Sequence, residues 1–121
     1  MKFTQEISSA VTIRRVAGGA IFIGENRYTS TIALTPKGLV EEFAPPPLEE
    51  LQLTHFDRLF EYEPELVILG TGDRIVFPPR DLTFAFARRG VGLEVMDTAA
   101  AARTFNVLAG EGRRLAAVLY L

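Results

Sequence analysis

The sequence predicts an α/β fold, and three observations carry that reading. Leu66-Val67-Ile68-Leu69 is an apolar run without alternation, the mark of a strand buried on both faces. After it, apolar strand-like segments alternate with helix-like ones to the end of the chain. That is the pattern of a mainly parallel sheet with helical crossovers. Before it, residues 11–43 hold short segments separated by Gly, Asn and Pro turns, which read as an antiparallel β-meander. The 121 residues fit one domain, 1–121, with a core that needs no covalent staple.

The meander is predicted segment by segment. Residues 11–16 alternate as a strand and Gly18-Gly19 turns the chain. Ala20-Ile21-Phe22-Ile23 is a short apolar strand, followed by turn chemistry at Gly24-Glu25-Asn26. Residues 28–34 alternate and are rich in β-branched side chains, as one half-buried strand would be. Pro36-Lys37-Gly38 turns again, and residues 39–43 read as a further strand. Pro45-Pro46-Pro47 lacks amide donors and is extended; it reads as a connector, with a proline-recognition ligand as the alternative.

Phe56, Leu59 and Phe60 share one face of a short helix, which Thr54 would cap in a box with Asp57 and Pro64 would close. The strand at Leu66-Val67-Ile68-Leu69 leads into Gly70-Thr71-Gly72-Asp73, the short apolar segment Ile75-Val76-Phe77 and a proline pair. Residues 81–89 read as a helix ended by Gly90, with Arg88 and Arg89 at the negative end of its dipole. A strand follows at residues 91–96. Asp97 or Thr98 then caps a helix over 99–109 with Gly110 as its stop, and Ala101, Phe105 and Leu108 line one face. Residues 115–121 form an apolar final strand.

Composition excludes several chemistries. There is no cysteine, so a disulfide scaffold, a thiolate metal site and a cysteine nucleophile are ruled out. A single histidine excludes a multi-histidine metal site, and a serine triad would have to use His55. The start Met1-Lys2-Phe3-Thr4-Gln5-Glu6 does not read as a signal peptide, and no apolar run approaches the roughly 18 residues of a membrane span. The expectation is a cytoplasmic protein without membrane insertion. The net charge of −2 is uneven, because residues 41–65 hold eight acids and one base. That block is either a solvated surface or a docking face for a basic partner. With no basic stripe to neutralise phosphates, nucleic acid is not expected as a partner.

Gly70-Thr71-Gly72 leaves the carboxyl end of a buried strand, where open α/β sheets hold ligands. It lacks the third glycine and the immediate helix of a dinucleotide fingerprint. The remaining readings are a tight turn that lets the strand end pack closely, or a crevice for a small ligand or partner. His55 reads as a surface or capping residue rather than a catalyst. Glu94 and Asp97 could divide acid and base roles, but Asp97 has a simpler duty as a cap. Arg103 and Asn106, three apart on the last helix, are placed away from the Phe105 face. They either bind an anion or partner carboxylate, or form plain solvent surface.

At Gly70-Thr71-Gly72-Asp73, residues 90–98 and residues 103–113, the chain closely resembles a small single-domain family. That family includes mitochondrial NADH dehydrogenase (complex I) assembly factor 3 and many uncharacterised bacterial proteins. The resemblance covers essentially the whole chain and is strongest over residues 64–119. It implies a three-layer α/β domain with a mixed central sheet and no established enzymatic activity; no cofactor is expected. It also implies a role played through protein contacts, as in the assembly of a membrane-bound respiratory complex. The family's recurrent polar positions fall on Thr71, Asp73, Arg103, Asn106, Glu111 and Arg113. Together with Gly70 and Gly72 these form the candidate ligand or partner site. The expected partner is another protein, with a homo-oligomer open. The competing expectation is a small-molecule-binding or enzymatic domain that uses the crevice after Leu69.

Overall fold

The computed structural model describes residues 11–121. The reading of residues 1–6 as lacking a signal peptide lies outside the described residues. The apolar run forms the heart of β6 (Leu66–Thr71). Its side chains divide by period two, with Leu66 and Ile68 entering one core and Val67 and Leu69 the other. The final strand β8 (Leu115–Tyr120) splits the same way, Leu115, Ala117 and Leu119 against Ala116 and Val118. β8 and β7 (Gly92–Met96) flank β6 and run parallel to it. β4 (Ile32–Thr35) pairs antiparallel with β8, and β5 (Gly38–Leu39) adds the edge. The mixed sheet therefore has the order β5-β4-β8-β6-β7.

A layer covers each face. One core holds α3 (Thr98–Gly110), which buries Ala101, Ala102, Phe105 and Ala109. A small antiparallel sheet lies on the same side: β1 (Ile13–Ala17), β2 (Ala20–Ile23) and β3 (Asn26–Tyr28). The other face carries 3₁₀ turns at Leu48–Glu50 and Leu53–Phe56, then α1 (Asp57–Phe60) and α2 (Arg80–Arg89). There Phe56 meets Phe86 edge to face at 5.0 Å, and Arg89 stacks on Phe60 at 3.9 Å. The three-layer α/β arrangement with a mixed central sheet is thus as the sequence and its resemblance implied.

Several expected details change. Residues 28–34 are not one strand. Tyr28 pairs with Ile21 in the small sheet, whereas Ile32 pairs with Leu119 in the large one. The chain crosses between layers at residues 29–31, which alternation cannot register. Asn26 is a strand residue, so the turn before it is Gly24-Glu25. The strand expected at 39–43 stops at Leu39; Glu41-Glu42 is a turn, with Glu42 at φ +59°.

The short helix is capped differently as well. The Gln52 N–H donates to His55 Nδ1 at 2.9 Å, in place of a Thr54–Asp57 box. His55 is therefore a capping residue. α3 runs through Gly110 instead of stopping before it, and Glu111 and Gly112 close it. Leu121, expected in the final strand, follows β8 and is 41% exposed.

Candidate functional site

β6 connects through α2 on one face to β7, and β7 connects through α3 on the other face to β8. The chain thus leaves the carboxyl ends of β6 and β7 in opposite directions, and a crevice opens between them. Gly70-Thr71-Gly72-Asp73 lies there, as the sequence implied for a strand-end site.

The crevice is stitched by its own polar groups. The Thr98 hydroxyl donates to the Tyr120 carbonyl at 2.6 Å and accepts from the Gly72 N–H at 2.7 Å. The Thr98 N–H returns a bond to the Gly72 carbonyl at 2.9 Å. One buried hydroxyl therefore ties together the ends of β6 and β8 and the start of α3. Beside it, the Thr71 hydroxyl donates to the Arg74 carbonyl at 2.7 Å and accepts from the Val76 N–H at 3.0 Å, which shapes the following loop.

The glycines have matching reasons. A Cβ on Gly70 would lie 3.0 Å from both Cα and Oγ1 of Thr98, so α3 can approach β6 only where there is no side chain. Gly72 sits at φ +100°, a conformation that disfavours any side chain. The stitch residues Gly72, Thr98 and Tyr120 line a cleft of about 260 Å³ together with Gly18, Asp73 and Asp97 among others. Asp97 Oδ1 accepts the Ala100 N–H at 2.8 Å, the capping duty expected of it.

The other polar candidates lie elsewhere. Asn106 is half-buried and holds β1 on α3. Its Oδ1 accepts from the Ile13 N–H and its Nδ2 donates to the Ile13 carbonyl, both at 2.9 Å. It therefore does not share the exposed surface of Arg103, which was the placement expected of both. Glu111 and Arg113 follow the far end of α3, about 20 Å along the helix from the crevice. Arg113 Nε donates to Glu65 Oε2 at 2.9 Å, and that bond holds the Glu65 carboxyl below the usual carboxylate range and the Arg113 guanidinium above its ordinary value. The eight candidate residues thus occupy four places, not one: the strand-end crevice, the exposed Arg103 surface, the Asn106 contact with β1 and the far end of α3.

All eight acids of residues 41–65 are exposed. Ion pairs engage Glu42, Glu61 and Glu65; the other five have none among the described residues. Glu49 and Glu50, with Asp81 and Arg88, line an open cleft of about 510 Å³ between the first 3₁₀ turn and α2. Tyr120 seals the inner side of this layer. Its hydroxyl donates to the Pro46 carbonyl at 2.7 Å, and burial, then the charge of Glu49, pushes its pKa up to about 12. That bond anchors the proline connector. No group of three His, Asp or Glu side chains able to hold a metal occurs among the described residues.

Sequence reasoning missed Thr98 as the stitch, reading it only as a possible cap. The available signal was a hydroxyl residue one past the cap, at the end of a strand adjacent to the Gly-x-Gly strand.

The family model described as a protein of unknown function (DUF498/DUF598) matches residues 13–120. The chain belongs to this family. It is 32% identical over 117 residues to human NADH dehydrogenase (ubiquinone) 1 alpha subcomplex assembly factor 3, a match covering 95% of this chain and 63% of the human one. The chain thus spans less than two thirds of that relative. A Francisella tularensis relative named 13 kDa major membrane protein is 21% identical over 116 residues, covering 95% of this chain and 94% of that one. A Xanthomonas campestris protein solved by NMR is 39% identical, with a TM-score of 0.84 over 99% of this chain and 92% of that one. Among the described residues no helix is long and apolar enough to cross a membrane.

Proposed function

We propose that this chain acts as one non-catalytic protein-interaction domain that helps to assemble a membrane-bound respiratory complex from the cytoplasmic side. The observation that carries the reading is the stitched crevice. Where α/β sheets present free groups to a ligand, Thr98 and Gly72 spend theirs on each other and on Tyr120. The likeness to relatives named as complex I assembly factors supports the assembly role.

The partner surface in this proposal is the acidic face around Glu49 and Glu50, which line one cleft beside α2. These two exposed carboxylates, without ion pairs among the described residues, would meet a basic surface on a subunit, and such charges act mainly on encounter rate and register. Asp73, Arg103, Glu111 and Arg113, all exposed, are proposed as further contacts.

The test is affinity capture of the tagged full chain from its native cells, beside a Glu49→Lys, Glu50→Lys variant. Subunits of a respiratory complex should co-purify with the parent and be depleted with the variant, at an unchanged melting temperature. Capture of none of these subunits, or equal capture by both proteins, would overturn the proposal.

A further inference from the structure

The loop between β6 and α2 carries its apolar residues outward. Ile75 is 48% exposed, Val76 42% and Phe77 75%, in one consecutive run. The exposure is built in. The two Thr71 hydrogen bonds fix the loop on one side, and on the other Pro78 is buried with Pro79 at the start of α2. Exposed arginines stand at both shoulders, Arg74 before the run and Arg80 after it. Asp73 precedes Arg74 and Asp81 follows Arg80, and with Arg88 and Arg89 at the far end of α2 residues 73–90 hold four arginines to two aspartates, in a chain whose net charge is −2. Phe84, 51% exposed on α2, adds apolar surface next to Arg80 and Arg88 in the helix repeat.

We propose that this loop docks the protein peripherally on an anionic lipid surface, with Phe77, Ile75 and Val76 entering the headgroup boundary and Arg74 and Arg80 binding lipid phosphates. Charge and shape together select this occupant. Apolar tips between cations suit an anionic bilayer, which yields to a protruding loop. A protein partner needs roughly 800 Å² of complementary surface on each side, far more than three side chains at a loop tip supply. The docking is peripheral and requires no spanning helix. It goes beyond the assembly reading and does not depend on which subunit binds the acidic face.

The experiment is sedimentation of the full chain with vesicles of phosphatidylcholine alone or mixed with phosphatidylglycerol, at low and high salt. The parent should pellet with the mixed vesicles, weakly with the neutral ones, and less as salt rises. Ile75→Ser with Phe77→Ser should lower the partition coefficient by about ten-fold or more, since each removes a buried apolar group. Arg74→Gln with Arg80→Gln should lower it by roughly five-fold per arginine and flatten the salt dependence. Both variants should melt with the parent, because every changed side chain is exposed. A parent that stays in the supernatant with mixed vesicles at low salt overturns the proposal, as do variants that bind as the parent does. Loss of a captured protein by the serine variant, without vesicle binding by the parent, would assign the loop to a protein partner instead and leave the acidic-face test standing.

Discussion

Asn106 offers the sharpest separation between a surface role and a structural one. Ile13 and Ile23 face each other across β1 and β2, and both polar groups of the Ile13 backbone turn away from that pair toward α3. Asn106 satisfies both from 93 residues away. Asn106→Ala removes two hydrogen bonds, each contributing about 0.5–1.5 kcal/mol, and strands a donor and an acceptor next to a core residue that is 3% exposed. The expected loss is about 2–4 kcal/mol. At roughly 3–5 °C per kcal/mol for a chain of this size, melting should fall on the order of 10 °C. Arg103→Ala, one helical turn away but exposed, should change stability by less than about 0.5 kcal/mol. Thermal and urea unfolding followed by circular dichroism measure both variants. Amide exchange at Ile13 gives a local readout, with protection expected in the parent and lost in Asn106→Ala. Equal melting of the two variants, or retained Ile13 protection, would refute the clamp.

Three further outcomes follow from the same structure. Gly70→Ala should cost about 1–3 kcal/mol in urea unfolding, because the new methyl meets Thr98 Cα at 3.0 Å and Ala101 Cβ at 3.1 Å; a neutral result would mean α3 can lift off β6 freely. Deleting residues 115–121 should abolish the folded state, since β8 lies between β4 and β6 and joins the two halves of the large sheet; dispersed NMR peaks and a sharp melt from the truncated chain would contradict this. Tyr120 binds its proton more tightly when folded, so its contribution is complete below its ordinary value of 10 and is lost as pH rises toward about 12. Ultraviolet titration should show one tyrosine ionising late, and Tyr120→Phe should remove that step along with the bond to Pro46.

What was legible in the sequence follows from local periodicity. The unbroken run in β6, the alternating helix and strand segments after it, the Asp97 cap and the Gly90 stop each depend on residues close together in the chain. Those features determined the α/β class and placed Gly70-Thr71-Gly72 at a strand end. The tertiary structure decided what depends on distant partners. Residues 28–34 alternate whichever sheet they join, so only pairing with β2 or β8 could divide them. Asn106 is polar on either reading, and only the arrival of β1 made it a clamp. The spacing of Glu111 and Arg113 from Asp73 does not show that a whole helix separates them. Ile75-Val76-Phe77 reads as apolar, but its exposure follows from a loop held open by Thr71 and two prolines. Burial is a property of what packs above a residue, and that partner is chosen by the whole chain.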